Sequence, residues 1–421
     1  MTQSIANYCN EQKILTDDDF QKLRQYFYKL YIKTNNDTYE NGMPHRVIFS
    51  AHHKVKQKLI NPFHKEANGL IIEFPNCNLL VIPPKTLRYE LDASATNNSL
   101  KKNLYDIQYI DEGTSISLYW FNSKWCISTT SGYEMNNVQW NNITYQQALD
   151  EILKTYNITF DDLKLSKDKC YSFIIKHPNF HPFWEDNKPT YKIVFIQSVV
   201  LATGIINKVN DVHDNLSIIR KLECNNVHEL FKNAKQAKDP NVKYLFGYIL
   251  RSDYNIPNLL IESSLLINIR KLAYDNNLKK FSQNNKLDHI NSFKLSAYLS
   301  RKSHTQFLEL FPQYRDDFKY FDSVINKVIN RIIQFINDAE NKKIEDNNAE
   351  DKKVEDKEPT NLTNQEFDPN SQLDICCMGI LSSLQNVYQI NSKNKSLNMM
   401  LADFILHENF MLLLYSLMYP K

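Results

Sequence analysis

Glycine is scarce in this chain, seven residues in 421, while Asn, Lys and Ile abound. Such usage accompanies AT-rich genomes, those of large DNA viruses among them, and points to a viral source rather than to a function. Long apolar runs are missing too. The longest, Phe410 to Leu417, falls far short of the roughly 20 residues that cross a bilayer. The first residues, Met1-Thr-Gln-Ser-Ile-Ala-Asn-Tyr, lack the basic and apolar regions of a signal peptide. Seven scattered cysteines argue against a disulfide framework and for a reducing compartment, so a cytoplasmic chain with no membrane partner is expected. No cysteine–histidine spacing suggests zinc, and Cys376-Cys377 is too close to hold one tetrahedral ion; neither metal nor cofactor is expected. A formal net charge of +2 excludes a globally basic nucleic-acid binder and an acidic mimic, leaving at most a local patch.

What is present is enough for two or three domains around a sizeable core. Thr16-Asp17-Asp18-Asp19 supplies capping oxygens for a helix from about Asp17 to Lys33, with Phe20, Leu23, Phe27 and Leu30 as its apolar stripe. Residues 46–51, 68–74 and 79–82 read as strands, the last two joined by Pro75-Asn76-Cys77-Asn78. The central stretch is Tyr109 to Gly132. Ile116, Leu118 and Trp120 alternate with Ser117 and Tyr119, the pattern of a half-buried strand. Asn122-Ser123 turns the chain, and Trp125, Ile127 and Thr129 restart the alternation. Asp111-Glu112-Gly113-Thr114 is a polar turn leading into this hairpin. A helix over 144–156, strands over 171–178, 191–200, 243–251 and 258–266, and helices over 293–299, 305–314 and 318–336 follow. Residues 338–370 alternate both charges and read as a solvated linker or an exposed extension of the preceding helix. Two helices over 371–421 carry too many apolar residues for free helices in water. They are expected to pack on the body, on a copy of themselves or on a protein partner.

Several of these stretches resemble the phage-type RNA ligases, a family of covalent nucleotidyltransferases. Their signature, Lys-x-Asp-Gly-Ser before an apolar hairpin, is matched by Glu112-Gly113-Thr114, the Ile116–Tyr119 strand and the Ser128–Gly132 return. Gly69 with Ile72-Glu73-Phe74, then Pro83, Pro84 and Lys85, resembles a second motif. Phe173 and Pro178 resemble a third, Gly247 with Tyr248-Ile249-Leu250 a fourth, and Phe307-Leu-Glu-Leu-Phe311-Pro-Gln-Tyr314 the family's small helical domain. The likeness runs in order from about Leu23 to Asn337. It implies an α+β fold of nucleotidyltransferase-like antiparallel sheets with flanking helices, followed by a small helical domain and a C-terminal helical extension. The expected domains are 1-275, 276-337, a charged linker over 338-370 and the apolar extension over 371-421.

The reactive positions depart from the family. Ile110 stands where the resemblance places the lysine that attacks the α-phosphate of ATP, and isoleucine has no lone pair to offer. Ile174 and Phe246 replace glutamates, and Leu260 and Glu262 replace lysines that hold the triphosphate. Together with Glu112 these positions form the expected degenerate pocket, either dry and self-packed or shaped for a flat hydrophobic group. Lys101 and Lys102 lie too far upstream to substitute, and Lys124 sits at the far end of the hairpin. The resulting expectation is a chain that is not an enzyme. It would bind RNA, a protein partner or both within an RNA-processing, capping or translation-related complex. Arg46, Lys85, Arg88, Arg251, Arg270 and Lys271 are its candidate RNA contacts. The alternatives are an active ATP-dependent RNA ligase or nucleotidyltransferase with a displaced lysine, and a scaffold that binds no RNA.

Overall fold

The computed structural model describes residues 4–38, 44–51, 61–85, 87–89, 104–140, 143–181, 183–252, 258–273 and 304–350, with a few single positions between them. The expected helices over 371–421 lie outside the described residues. Two compact units divide at residue 271.

The first unit begins with helices α1 (Ile5–Gln12) and α2 (Asp17–Lys29). The Thr16 hydroxyl accepts from the Asp19 amide while the Asp19 carboxylate accepts from the Thr16 amide, a reciprocal cap on α2. Thr16→Ala should therefore lower the unfolding free energy by about 1 kcal/mol, read as a shift in urea midpoint at constant m-value. The helix ends at Lys29 rather than at Lys33. Tyr31 takes a φ of 60°, which no helix continues through, and Ile32 opens a strand instead.

That strand, β1 (Ile32–Thr38), joins β2 (Pro44–Ala51), β3 (Asn68–Glu73) and β4 (Asn78–Val81) in an antiparallel sheet ordered by sequence. One face, with Val47, Phe49, Leu70 and Ile72, packs on Phe20, Leu23 and Phe27 of α2. The other, with Ile48, Ile71 and Val81, packs on Tyr119, Phe121 and Cys126 of the central hairpin.

The hairpin comprises β7 (Thr114–Phe121) and β8 (Lys124–Ser128), turning at Asn122 and Ser123 with φ of 47° and 61°. It is not half-buried. Ile116 and Leu118 face a helix, α3 (Tyr145–Thr155), while Ser117 and Tyr119 are covered by the first sheet. The polar members of the alternation are buried because a second layer covers them, which the pattern along one strand does not reveal. Trp120 is the partly exposed exception, with the Lys167 ammonium 4.1 Å from its ring centre. Strands β11 (Lys169–Lys176), β12 (Lys192–Val200), β13 (Ile205–Asn207) and β14 (Ser217–Ile218) complete this second sheet, in the order β13-β12-β11-β7-β8 with β14 parallel on β12. A two-residue ladder, β9 (Gln139–Trp140) with β10 (Ile143–Thr144), leads into α3.

A third sheet has the order β15-β6-β16-β17-β5, built from β5 (Leu87–Tyr89), β6 (Asp106–Tyr109), β15 (Lys221–Leu222), β16 (Gly247–Arg251) and β17 (Asn258–Glu262). Helix α4 (Val227–Gln236) lays Val227, Leu230 and Ala234 on its face. The strand expected to reach residue 266 stops at Glu262. Ser263 turns the chain, and its hydroxyl accepts from the Leu266 amide to cap α5 (Ser264–Ala273).

In the second unit α6 (His304–Leu310), the short turn Pro312–Tyr314 and α7 (Arg315–Glu350) gather Phe307, Phe311, Tyr314, Phe318 and Phe321 into one aromatic cluster. Helix α7 continues to Glu350, into the charged stretch. The architecture is α+β, with antiparallel sheets and flanking helices followed by helices.

Candidate functional site

Ile110-Asp111-Glu112-Gly113 carries the chain from β6 in the third sheet to β7 in the second. At the β6 side the Ile110 amide donates to the Gly247 carbonyl at 3.0 Å, so the turn is tied to the first residue of β16. At the β7 side Gly113 lies under β11: a Cβ there would stand 2.6 Å from Ile174 Cγ2 and from the Ile175 carbonyl oxygen. Glycine is needed for that close approach.

Two lysines converge on this turn. Ile175 pairs with Thr114, so Lys176, the last residue of β11, falls beside Gly113; Lys192, the first residue of β12, pairs with Lys176. Lys176 is buried. Its Nζ stands 3.0 Å from Glu112 Oε2 and 3.3 Å from Glu185 Oε1, with the Phe183 and Phe246 ring centres 5.0 and 5.5 Å away. Lys192 pairs with Asp111, and a quarter of its side chain, 26%, stays exposed against 4% for that carboxylate. His181 completes the cluster, with Nδ1 2.9 Å from Glu112 Oε1 and Nε2 3.0 Å from Thr114 Oγ1. Burial alone would raise the Glu112 pKa, but His181 and Lys176 outweigh it and hold the carboxyl down at about 2. One residue after Lys176, burial lowers the pKa of His177, whose Nε2 lies 3.0 Å from Glu151.

The six residues of the expected pocket are only partly gathered. Ile110, Phe246 and Glu262 meet at one end of the third sheet, since Gly247 pairs with Glu262 and the Ser263 amide donates to the Phe246 carbonyl. Ile174 touches Gly113 from the second sheet, and Leu260 lies further along β17, opposite Ile249. Ile110 and Phe246 are buried. The expectation of a dry, oily pocket misses its middle, where Glu112, Lys176, His181 and Glu185 form a charged core. Lys176, Lys192, Asp111 and His181 were absent from the sequence-derived site, although a lysine closing a buried apolar strand just before His177-Pro178 was a visible signal.

Of the candidate RNA contacts, Arg46 is not on the surface. It is 5% exposed, with Nη2 2.5 Å from Asp37 and 2.7 Å from Glu134, Nη1 donating to Tyr119, and its guanidinium over the Phe121 ring. These partners consume its donors, so it is a structural cation. Arg251 is half-buried and donates to Gln108, and burial pulls its pKa down to about 10. Arg270 pairs with Glu262. Lys85 is exposed, and Arg88 and Lys271 lie on β5 and α5. Among the described residues no three His, Cys, Asp or Glu side chains converge to hold a metal ion, and no helix is long and apolar enough to cross a membrane.

No protein-family model matches the chain. It is 25% identical over 342 residues to a protein of African swine fever virus (isolate Tick/South Africa/Pretoriuskop Pr4/1996) named "Putative RNA-ligase", covering 71% of this chain and 74% of that one. The protein of the same name from the Badajoz strain is 26% identical over 330 residues, covering 68% and 71%. Among solved structures, an archaeal ATP-dependent RNA ligase aligns with a TM-score of 0.39 at 12% identity over 64% of this chain and 67% of its own. A Naegleria gruberi RNA ligase aligns with a TM-score of 0.31 at 9% identity, covering 44% and 58%. The expectation of a chain that is not an enzyme is corrected here: relatives matched over some three quarters of their length carry the name of an enzyme. It had rested on five replaced positions, Ile110, Ile174, Phe246, Leu260 and Glu262; at the first of them, two lysines from neighbouring strands pair with Asp111 and Glu112, the residues that follow Ile110.

Proposed function

We propose that this RNA-ligase-like chain is an ATP-dependent RNA ligase whose nucleophilic amine is displaced from position 110 to Lys192. The observation that carries the reading is the pairing of Lys192 with Asp111, in the turn where the resemblance expects the lysine. Of the two lysines, Lys192 is the one a nucleotide can reach; Lys176 is enclosed by two carboxylates and two rings and fixes the turn. In the step envisaged, Asp111 accepts the ammonium proton and the freed Nζ attacks the α-phosphorus of ATP. An N–P bond forms, the bond to the β-phosphate oxygen breaks, and pyrophosphate leaves. RNA ends are the substrate class that the relatives' name supplies. The five described free cysteines fit work in the cytoplasm.

The test is incubation with ATP labelled at the α-phosphate and a divalent cation, then mass mapping of the denatured protein. An acid-labile nucleotide on Lys192 is expected. Lys192→Arg keeps the ion pair but removes a deprotonatable amine, and should cut the adduct by at least 100-fold, as for removal of a covalent nucleophile. A parent protein that forms no adduct with any of the four ribonucleotides overturns the ligase; an adduct undiminished in the arginine variant overturns Lys192.

A further inference from the structure

A cleft of about 680 Å³ opens along β6, on the stretch that leads into the Ile110–Gly113 turn. Its floor is Tyr109 with Phe195 and Ile196 of β12, and its rim is the segment from Ile218 to Glu223. That segment is anchored. Phe195 pairs with Ile218, Gln108 with Lys221, and the Tyr109 amide donates to the Arg220 carbonyl at 3.0 Å.

Its rim carries cations. Lys208, Arg220 and Lys221 line it, against Glu223 and the neighbouring Asp106. Both lysines reach the same carboxylate, each Nζ 3.8 Å from Asp106 Oδ2. Arg220 is exposed, has no carboxylate within ion-pair distance among the described residues, and lies 5.5 Å from the Tyr109 ring centre. The outer face of its guanidinium is a planar surface in water, beside Ile218, which is 55% exposed. Cations spaced along an open cleft, with a flat cationic plate and an apolar rim between them, match the alternation of phosphates and bases in a single strand.

We infer that this cleft seats single-stranded RNA, with phosphates on Lys208 and Lys221 and a base against Arg220 and Ile218. The inference rests on the RNA-joining reading and supplies the seat for its substrate. Phe195 is three residues along β12 from Lys192, about 10 Å at strand rise, so one or two nucleotides span the distance from the cleft to the amine.

The experiment compares the parent with the triple variant Lys208→Gln, Arg220→Gln, Lys221→Gln and with the control Lys22→Gln, Lys29→Gln on α2. Binding of a fluorescein-labelled RNA of about twelve nucleotides is followed by anisotropy across a salt series. At low salt the triple variant should bind on the order of tenfold more weakly, and its log–log salt slope should be shallower by about 1.4, near 0.7 for each of the two lost phosphate contacts. The control should match the parent. A 4-thiouridine in the RNA should crosslink within residues 218–223. Adduct formation on Lys192, which these side chains do not touch, should be unchanged and reports that the variant is folded. Equal affinity and slope in parent and triple variant overturn the cleft. Poly-L-glutamate displacing the RNA at equal charge concentration overturns it in favour of an acidic protein. Loss of RNA binding in the triple variant of a parent that forms no adduct keeps the cleft and sinks the ligase alone.

Discussion

Replacing Lys176 by methionine should lower the unfolding free energy by about 3–5 kcal/mol at pH 7, because it removes the lysine partner of the buried Glu112 carboxylate. Glu112 and Lys176 have side chains only 7% and 2% exposed, so solvent screens the pair little. The chain length of methionine preserves packing against Phe183 and Phe246, which isolates the charge from the cavity. Glu112, held between His181 and Lys176, writes a pH signature. Glu112 titrates in the folded protein at about 2, below its ordinary 4.5. A depressed carboxyl contributes stability that is complete above the unfolded pKa and is lost as pH falls through the folded one. The parent should therefore lose about 3 kcal/mol between roughly pH 5 and pH 2 through this group. Glu112→Gln should flatten that part of the profile. The double variant should cost less than the sum of the singles by 0.5–3 kcal/mol, since neither charge is then left alone. Urea melts of the four proteins at pH 7 and pH 3 decide it. A Lys176→Met protein within about 1 kcal/mol of the parent would mean that the ion pair holds nothing.

The contrast between Lys176 and Arg46 shows what the sequence could and could not tell. Both are cations on apolar strands, and the local pattern predicted the strands that carry them. Neither their burial nor their partners are local. Asp111 finds Lys192 across 81 positions, and Arg46 finds Glu134 across 88. These pairings follow from strand order, which the alternation of one strand leaves open. Features set within a few residues were legible: the Thr16–Asp19 cap, the Asn122-Ser123 turn, the Phe307–Tyr314 aromatic turn. Helix α4 was overlooked although Val227, Leu230 and Ala234 recur at spacings of three and four, because its ten residues carry too few apolar positions to stand out. Searching for a nucleophile only along the strand that holds the signature had the same flaw. A site built between sheets takes its side chains from strands far apart in sequence.

Gly247→Ala should be among the most damaging single-methyl additions in the described chain, costing more than about 3 kcal/mol. Two independent effects act there. The residue has a φ of 134°, in a region that L-residues occupy only under strain of order 1–3 kcal/mol. Its Cβ would also stand 2.2 Å from the Ile261 carbonyl oxygen and 3.0 Å from Glu262 Cα, both backbone atoms of the adjacent strand β17. Ile110 Cδ1, at 2.9 Å, is the one side-chain atom among the three nearest. Gly204 separates the two effects, since it too has a positive φ, 69°, but nothing lies within 4 Å of a Cβ built on it. Gly204→Ala should cost only about 1 kcal/mol. Adding Ile110→Ala to Gly247→Ala should not rescue it, because the carbonyl of Ile261 remains in the way. Rescue by Ile110→Ala would place the clash in the side chain and leave β17 unconstrained. The consequence reaches the turn. The Gly247 carbonyl accepts from the Ile110 amide, so displacing β16 moves Asp111, the carboxylate proposed to take the Lys192 proton. Any Gly247→Ala protein that remains folded should therefore form the nucleotide adduct more slowly, while Gly204→Ala forms it at the parent rate.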